Sequence, residues 1–246
     1  YARADKAAAW TLLTKLYLNA EVYINAGKYT EAITSAKKVI GAGYVIESKY
    51  QNLFLADNNK SAEIIFPIAF DGTKTKTWGG MTFMVHAPVG GKMNPAEFGI
   101  NGGWGGLRTT QQFVDHFDDK SGKTDSRAMF FTDGQNKEVA DISAFTDGYA
   151  ITKYKNVTST GVKGSDSEGN FPDTDFPMFR LADVYLMYAE AKFRSGDQGT
   201  ALTYMNYIRE RAYGDATHNY TSLTLNDFLD ERARELNWEC TRRTDL

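Results

Sequence analysis

Two tryptophans stand directly before glycine pairs, in Trp78-Gly-Gly and Trp104-Gly-Gly. Small neighbours leave an indole face uncovered, and the flat C–H face of a pyranose ring packs well on such a surface through burial and dispersion. Covering roughly 50–100 Å² at about 25 cal/mol per Å² gives on the order of 1–3 kcal/mol per stacked sugar. Association costs consume much of that gain, so two platforms predict weak binding, roughly high micromolar to millimolar. Asn101 and Arg108 flank Trp104 and are candidate partners for sugar hydroxyls, with ordinary loop and helix-start duty as the alternative. For the tryptophans themselves, the competing reading is that of core anchors pinning an irregular loop.

A second constellation is acidic: Asp166, Glu168, Asp173 and Asp175. Asp-x-Asp in a loop puts two hard oxygens within reach of one cation, and Ca²⁺ prefers such ligands. A solvated acidic loop is the alternative. A third is Glu231, Glu235 and Glu239, at a spacing that is repulsive on an exposed helix face. Pairing with arginines such as Arg232 and Arg242 is the preferred reading, with Asp230–Arg234 as a further favourable pair. Two such glutamates could imitate a glycosidase acid and base, but nothing in the sequence sets them beside the tryptophans.

Other catalytic chemistry finds little footing. His86, His116 and His218 are scattered, and HExxH, CxxC and GxSxG patterns are missing. Gly90-Gly-Lys92 runs into Met93, so it is not a phosphate-binding loop. The expectation is a non-enzyme. Net charge is −3 with no basic stripe, which argues against nucleic acid and anionic membrane surfaces as partners. No apolar run approaches the ~18 residues of a membrane span. The one cysteine, Cys240, excludes an internal disulfide and reads as a small hydrophobe on a helix.

Helices must position these groups. Phe176 to Ala212 reads as two amphipathic helices joined at Gly196, with Leu181, Tyr185, Tyr188 and Ala189 on one stripe and Ala201, Met205 and Ile208 on the next. An earlier copy, from about residue 3 to 45, carries Leu13, Leu16, Tyr17, Ala20 and Ile24, a break at Ala26-Gly27, then Ala32, Ile33, Ala36, Val39 and Ile40. Neither helix of a pair buries its apolar side alone, which is the logic of helical repeats. Ala20, Tyr23, Gly27 and Ala32 fit the tetratricopeptide order. Ala62 to Phe70, interrupted by Pro67, predicts an edge strand. Asp71 to Gly106 is a glycine-crowded loop without periodicity. Thr109 to Phe117 predicts a short helix, Tyr149 to Val157 a strand, and Thr224 to about Arg242 the last helix. The fold class is therefore mostly α, a tetratricopeptide-like superhelix with a long irregular, loop-rich insertion and a few short strands. It is read as one domain: 1–52 the first hairpin, 53–170 the insertion, 171–246 the second hairpin and closing helix.

The run Asp173-Thr-Asp-Phe-Pro-Met-Phe-Arg-Leu-Ala-Asp-Val-Tyr closely resembles the SusD family, as do Arg3-Ala-Asp-Lys-Ala-Ala, Leu16-Tyr-Leu-Asn-Ala and the closing Glu231-Arg, Glu235-Leu, Glu239 and Arg242-Arg-Thr-Asp pattern. The resemblance covers nearly the whole chain. It implies a lipid-anchored, cell-surface glycan-binding protein of the outer membrane. Such a protein would capture oligosaccharides and pass them to a SusC-like, TonB-dependent β-barrel transporter. It also implies that the chain is an excised middle piece of a longer protein, with the lipid anchor lying outside it. In starch-binding members, two aromatics matching Trp78 and Trp104 form part of an arc on a curved glucan. Some members hold a structural calcium through the Asp pair matching Asp173 and Asp175, with a third ligand from the loop matching Asp57-Asn-Asn-Lys60. No cofactor is otherwise required. A tetratricopeptide-like protein–protein scaffold without a sugar site is the alternative function.

Overall fold

The computed structural model describes residues 1–246. In chain order the elements are α1 (Lys6–Leu18), α2 (Ala20–Ile24), α3 (Tyr29–Ile40), β1 (Ile64–Ile68), α4 (Met81–His86), α5 (Gln111–Val114), β2 (Phe130–Phe131), β3 (Ala150–Ile151), β4 (Phe176–Arg180), α6 (Leu181–Arg194), α7 (Gln198–Tyr213), α8 (Leu225–Glu235) and α9 (Arg242–Asp245). By its packing the chain divides into two compact units. Residues 1–48, 62–67 and 177–246 form a helical unit, and residues 49–61 and 68–176 form an irregular one.

The helical unit is built around α6. Leu181, Val184, Met187 and Tyr188 join one apolar cluster with Ala7, Ala8, Ala36 and Val39. Ala182, Leu186 and Ala189 join a second, with Ala201, Met205, Ile208, Phe228 and Leu236. A helix that supplies side chains to two cores is buried on most sides, and α6 is, with Asp183 among its buried residues. The stripes expected on α3, α6 and α7 face inward. Gly196, with φ +87°, makes the tight turn between α6 and α7, and the Asp197 side chain caps α7 by accepting the Thr200 N–H.

Helix α1 corrects the expected stripe. It buries Ala7, Ala8, Thr11 and Thr14, while Leu13 and Leu16 are 39% and 46% exposed. Small side chains let α1 approach its neighbours closely. The two buried threonine hydroxyls are satisfied by donating to the carbonyls of Ala7 and Trp10, one turn back. Ile24 is likewise exposed, and the break after α2 falls at Asn25, in the left-handed region.

Residues 176–180, read from sequence as the start of a helix, instead form β4, which pairs with β1 in a two-stranded sheet. Each strand contains a proline, Pro67 or Pro177. A two-stranded sheet tolerates this because each strand has a free edge. The closing helix is shorter than predicted. Trp238 and Cys240 both take positive φ, near +61° and +60°, so the chain turns before α9 and Cys240 is exposed off any helix.

The closing glutamates are buried and paired, though not with the arginines expected. Arg180 donates to Glu63 (2.9 Å), Glu235 (2.6 Å) and Glu239 (2.6 Å). Arg211 also donates to Glu235. Glu231 accepts from Arg209 at 2.7 Å and from Arg234 at 2.9 Å. Arg232 instead holds Asp183 and Asp245, and Arg242 donates to the Leu229 carbonyl. Burial disfavours the Arg180 cation, but the surrounding carboxylates outweigh it and hold its pKa well above the usual value.

The irregular unit has little regular structure: α4, α5, the β2–β3 pair and single 3₁₀ turns. The predicted strand at 149–157 shortens to the two residues of β3, antiparallel to β2. Helix α4 interrupts what read as unbroken loop. Aromatic packing supplies much of the core, with Phe113, Phe117 and Phe130 in edge contacts at 5.5–5.7 Å. Tyr50, Phe54 and Tyr154 form another set.

Candidate functional site: an open row of aromatic rings

Helix α4 begins after Gly80, whose φ of +57° and lack of a side chain are both needed, since a Cβ there would lie 2.6 Å from the Phe70 ring. Phe83 and His86 are three apart on α4 and project to one side. The segment carrying Trp104 runs back along the end of this helix. Trp104 N–H donates to the His86 carbonyl (3.0 Å), Gly105 N–H to Val89 (2.9 Å) and Gly106 N–H to Ala87 (2.8 Å). Gly103 permits that approach, because a Cβ there would sit 2.1 Å from the Val89 carbonyl oxygen. The glycines thus serve backbone contact as well as leaving the indoles open.

Both tryptophans are open. Trp78 is 61% exposed and Trp104 44%, with ring centroids 6.5 Å apart and planes tilted by 43°. His86 stacks against Trp104 at 5.1 Å. It is buried, and its nitrogens face the carbonyl oxygens of Gly102 (2.7 Å from Nδ1) and Asn170 (2.9 Å from Nε2). The imidazole therefore backs one face of Trp104 and ties two loop segments together. Phe171 lies 5.0 Å from Trp78, and Phe83 lies 6.2 Å from Trp104. Sequence reasoning missed Phe83, His86 and Phe171. Phe171 is far away in the chain, and the helix carrying the other two was not foreseen.

The polar candidates separate. Asn101 remains exposed near this row and donates its side-chain amide to Asn170 Oδ1 at 2.7 Å. Arg108 is engaged elsewhere. Its guanidinium donates to the carbonyls of Asp147 (2.7 Å), Ile142 (2.8 Å) and Gly106 (3.2 Å). Those bonds have it stitch a loop together.

The acidic candidates do not assemble a cation cage. Asp57 accepts from Ser159 N–H and Oγ–H. Asp173 accepts from Gly72 N–H and from Ser165 N–H and Oγ–H, and Asp175 from Phe70 N–H. Each carboxylate is oriented by N–H and O–H donors, and no group of three or more Asp, Glu, His or Cys is placed to hold a metal. Asp166 behaves similarly. Burial would raise its pKa, but the N–H groups of Phe171, Asn170 and Glu168 hold it below the ordinary carboxylate value.

Residues 126–246 match the model of the SusD family. Starch-binding protein SusD of Bacteroides thetaiotaomicron is 37% identical over 294 residues, an alignment covering 100% of this chain and 52% of that protein. The chain is similar to the SusD family along its whole length. A SusD-like protein of Bacteroides ovatus is 25% identical over 99% of the chain and 46% of its own length. Among solved structures, surface glycan-binding protein A of B. thetaiotaomicron in complex with laminarihexaose superposes with a TM-score of 0.75 at 20% identity, over 100% of this chain and 55% of that one. A SusD superfamily protein of Bacteroides fragilis gives 0.73 at 21%, over 98% and 53%. The SusD-like chain thus spans about half the length of the relatives it matches. The structural likenesses establish the fold, mostly helical and tetratricopeptide-like, as the repeat pattern predicts.

Proposed function

We propose that this SusD-like chain is the part of a cell-surface glycan-binding protein that presents an aromatic platform to oligosaccharides and performs no chemistry on them. The observation that carries this reading is the open pair Trp78 and Trp104, 6.5 Å apart and both solvent-accessible. Relatives named for starch binding and for glycan binding support it. A non-catalytic role fits the fate of Glu231, Glu235 and Glu239, the carboxylates that could have imitated a hydrolase pair, since all three are buried in ion pairs with arginine.

On this reading the protein sits on the outer membrane through a lipid anchor and delivers sugar to a SusC-like, TonB-dependent transporter. No helix here is long and apolar enough to cross a membrane. Exposed Leu12, Leu16 and Val22 leave apolar surface on α1 and α2 for a protein contact.

Tryptophan fluorescence and calorimetry with maltooligosaccharides and laminarioligosaccharides test the sugar site. A saturable change that is lost in Trp104→Ala is the expected result. No heat and no spectral change with either series at millimolar sugar would refute it.

A further inference from the structure

The two tryptophans are the middle of a longer row. In spatial order the rings are Phe171, Trp78, Trp104 and Phe83, with successive centroids 5.0, 6.5 and 6.2 Å apart. We propose that the saccharide site extends past the tryptophans onto Phe171 at one end and Phe83 at the other. It would then take an oligosaccharide of several pyranose units rather than a disaccharide. This extension rests on the glycan-binding reading above.

Successive rings are tilted by 52°, 43° and 56°. Rings so inclined do not share one flat sugar face, so each presents its own surface to a different unit of the chain. Phe83 is 42% exposed although it sits on a helix whose next turn is buried. Burying such a ring against solvent-facing sugar recovers apolar area that folding left in water.

The Phe171 end is built to stay in place. The Asp166 carboxylate receives the N–H groups of Asn170 (2.9 Å) and Phe171 (3.0 Å). The backbone at Gly72 lies so close that a Cβ there would be 2.5 Å from the Phe171 carbonyl oxygen. A half-buried ring on a fixed backbone loses little freedom on binding. The Lys76 ammonium lies 5.9 Å over the Phe171 ring and has no carboxylate in salt-bridge range, which leaves its donors for hydroxyls at this end. Ring face and polar donor together are the two parts of a sugar subsite. Phe171 is far from both tryptophans in the sequence, so the sequence alone does not show this end of the row.

The experiment is a length ladder. Isothermal titration of the whole chain with maltooligosaccharides and laminarioligosaccharides, from disaccharide to heptasaccharide, compares the unsubstituted protein with Phe171→Ala, Phe83→Ala and the double variant. Affinity is expected to climb with chain length in the unsubstituted protein. Each single variant is expected to lose about three- to tenfold on the hexasaccharide, as for removal of one stacked ring, while leaving the disaccharide unchanged. The double variant is expected to flatten the ladder. Phe171→Leu, which keeps the apolar volume and removes the flat face, serves if Phe171→Ala fails to fold. Phe171→Trp, which keeps a flat ring at this position, is expected to keep the climb. Hexasaccharide affinity unchanged in both single variants, with Trp104→Ala having lost it, overturns the extension and leaves the two-ring site standing. Binding that is indifferent to Trp104→Ala overturns the underlying reading, and the extension with it.

Discussion

The helical and irregular units lean on their buried carboxylates differently. In the helical unit the backbone satisfies itself within helices, and buried acids face arginines: Arg180 with three glutamates, Arg232 with two aspartates, Glu231 with two arginines. In the irregular unit, where few backbone groups find helical or strand partners, several acids take N–H donors, the buried Asp125–Arg127 pair apart. Asp147 accepts from Ala140 and Asp141, Asp166 from Asn170 and Phe171, and Asp173 from Gly72 and Ser165. Each unit is therefore vulnerable in its own way. Buried ion pairs fail badly when one partner is lost. A loop held by carboxylate-to-backbone bonds fails one bond at a time, and shifts geometry before it unfolds.

Arg180→Ala puts the heaviest strain on that contrast. It would leave Glu63, Glu235 and Glu239 buried without their shared cation, and a loss of about 3–5 kcal/mol is expected. Chemical denaturation followed by far-UV circular dichroism at 222 nm reads it, and a change below ~1 kcal/mol would mean the network is not what holds the helices.

Asp183→Asn comes next. Burial alone would raise the Asp183 carboxyl, but Lys15 and Arg232 hold it below its ordinary 3.8. A depressed carboxyl contributes stability that is complete above the unfolded value of 3.8 and fades as pH falls from there through the folded value. The substitution should cost ~1.5–3 kcal/mol at neutral pH. The gap between the two proteins should narrow on acidification below that point, and denaturation midpoints that stay parallel down to about pH 2 would contradict it.

In the irregular unit, Gly103→Ala should cost ~1–3 kcal/mol through overpacking against the Val89 carbonyl. Its diagnostic effect is on Trp104, whose emission should shift while the helical signal stays. Global unfolding without a separate fluorescence change would show that this loop is not independently deformable.

The smallest effect belongs to Leu16→Ser. The expected sequence stripe makes it a core lesion of ~2–5 kcal/mol. Its exposure makes it nearly neutral, within about 0.5 kcal/mol. Thermal unfolding of this variant alone separates the two.

Those contrasts also mark what could be read from residues. Helices α3, α6 and α7 were legible because their buried positions carry apolar side chains at helical spacing. Helix α1 misled because it packs through alanine and threonine and turns its leucines outward. Helix α4 was hidden by its six-residue length among glycines. The turn at Trp238 and Cys240 was invisible, since both adopt positive φ without being glycine. At the site, Trp78 and Trp104 announced themselves through their glycine neighbours. The fate of Arg108 depended on carbonyls at 142 and 147, and the paired glutamates on Arg180, Arg209 and Arg211, all distant in sequence. Local pattern reports which way a side chain faces only where its neighbours are local too.

Cys240 has a practical consequence. It is the protein's single thiol, exposed at the surface of the helical unit. A maleimide dye or surface tether can therefore be attached there at one defined position, without engineering. A quenching label at that point silences nearby Trp238 first, which leaves Trp10 as the background indole beside the two expected to report on sugar.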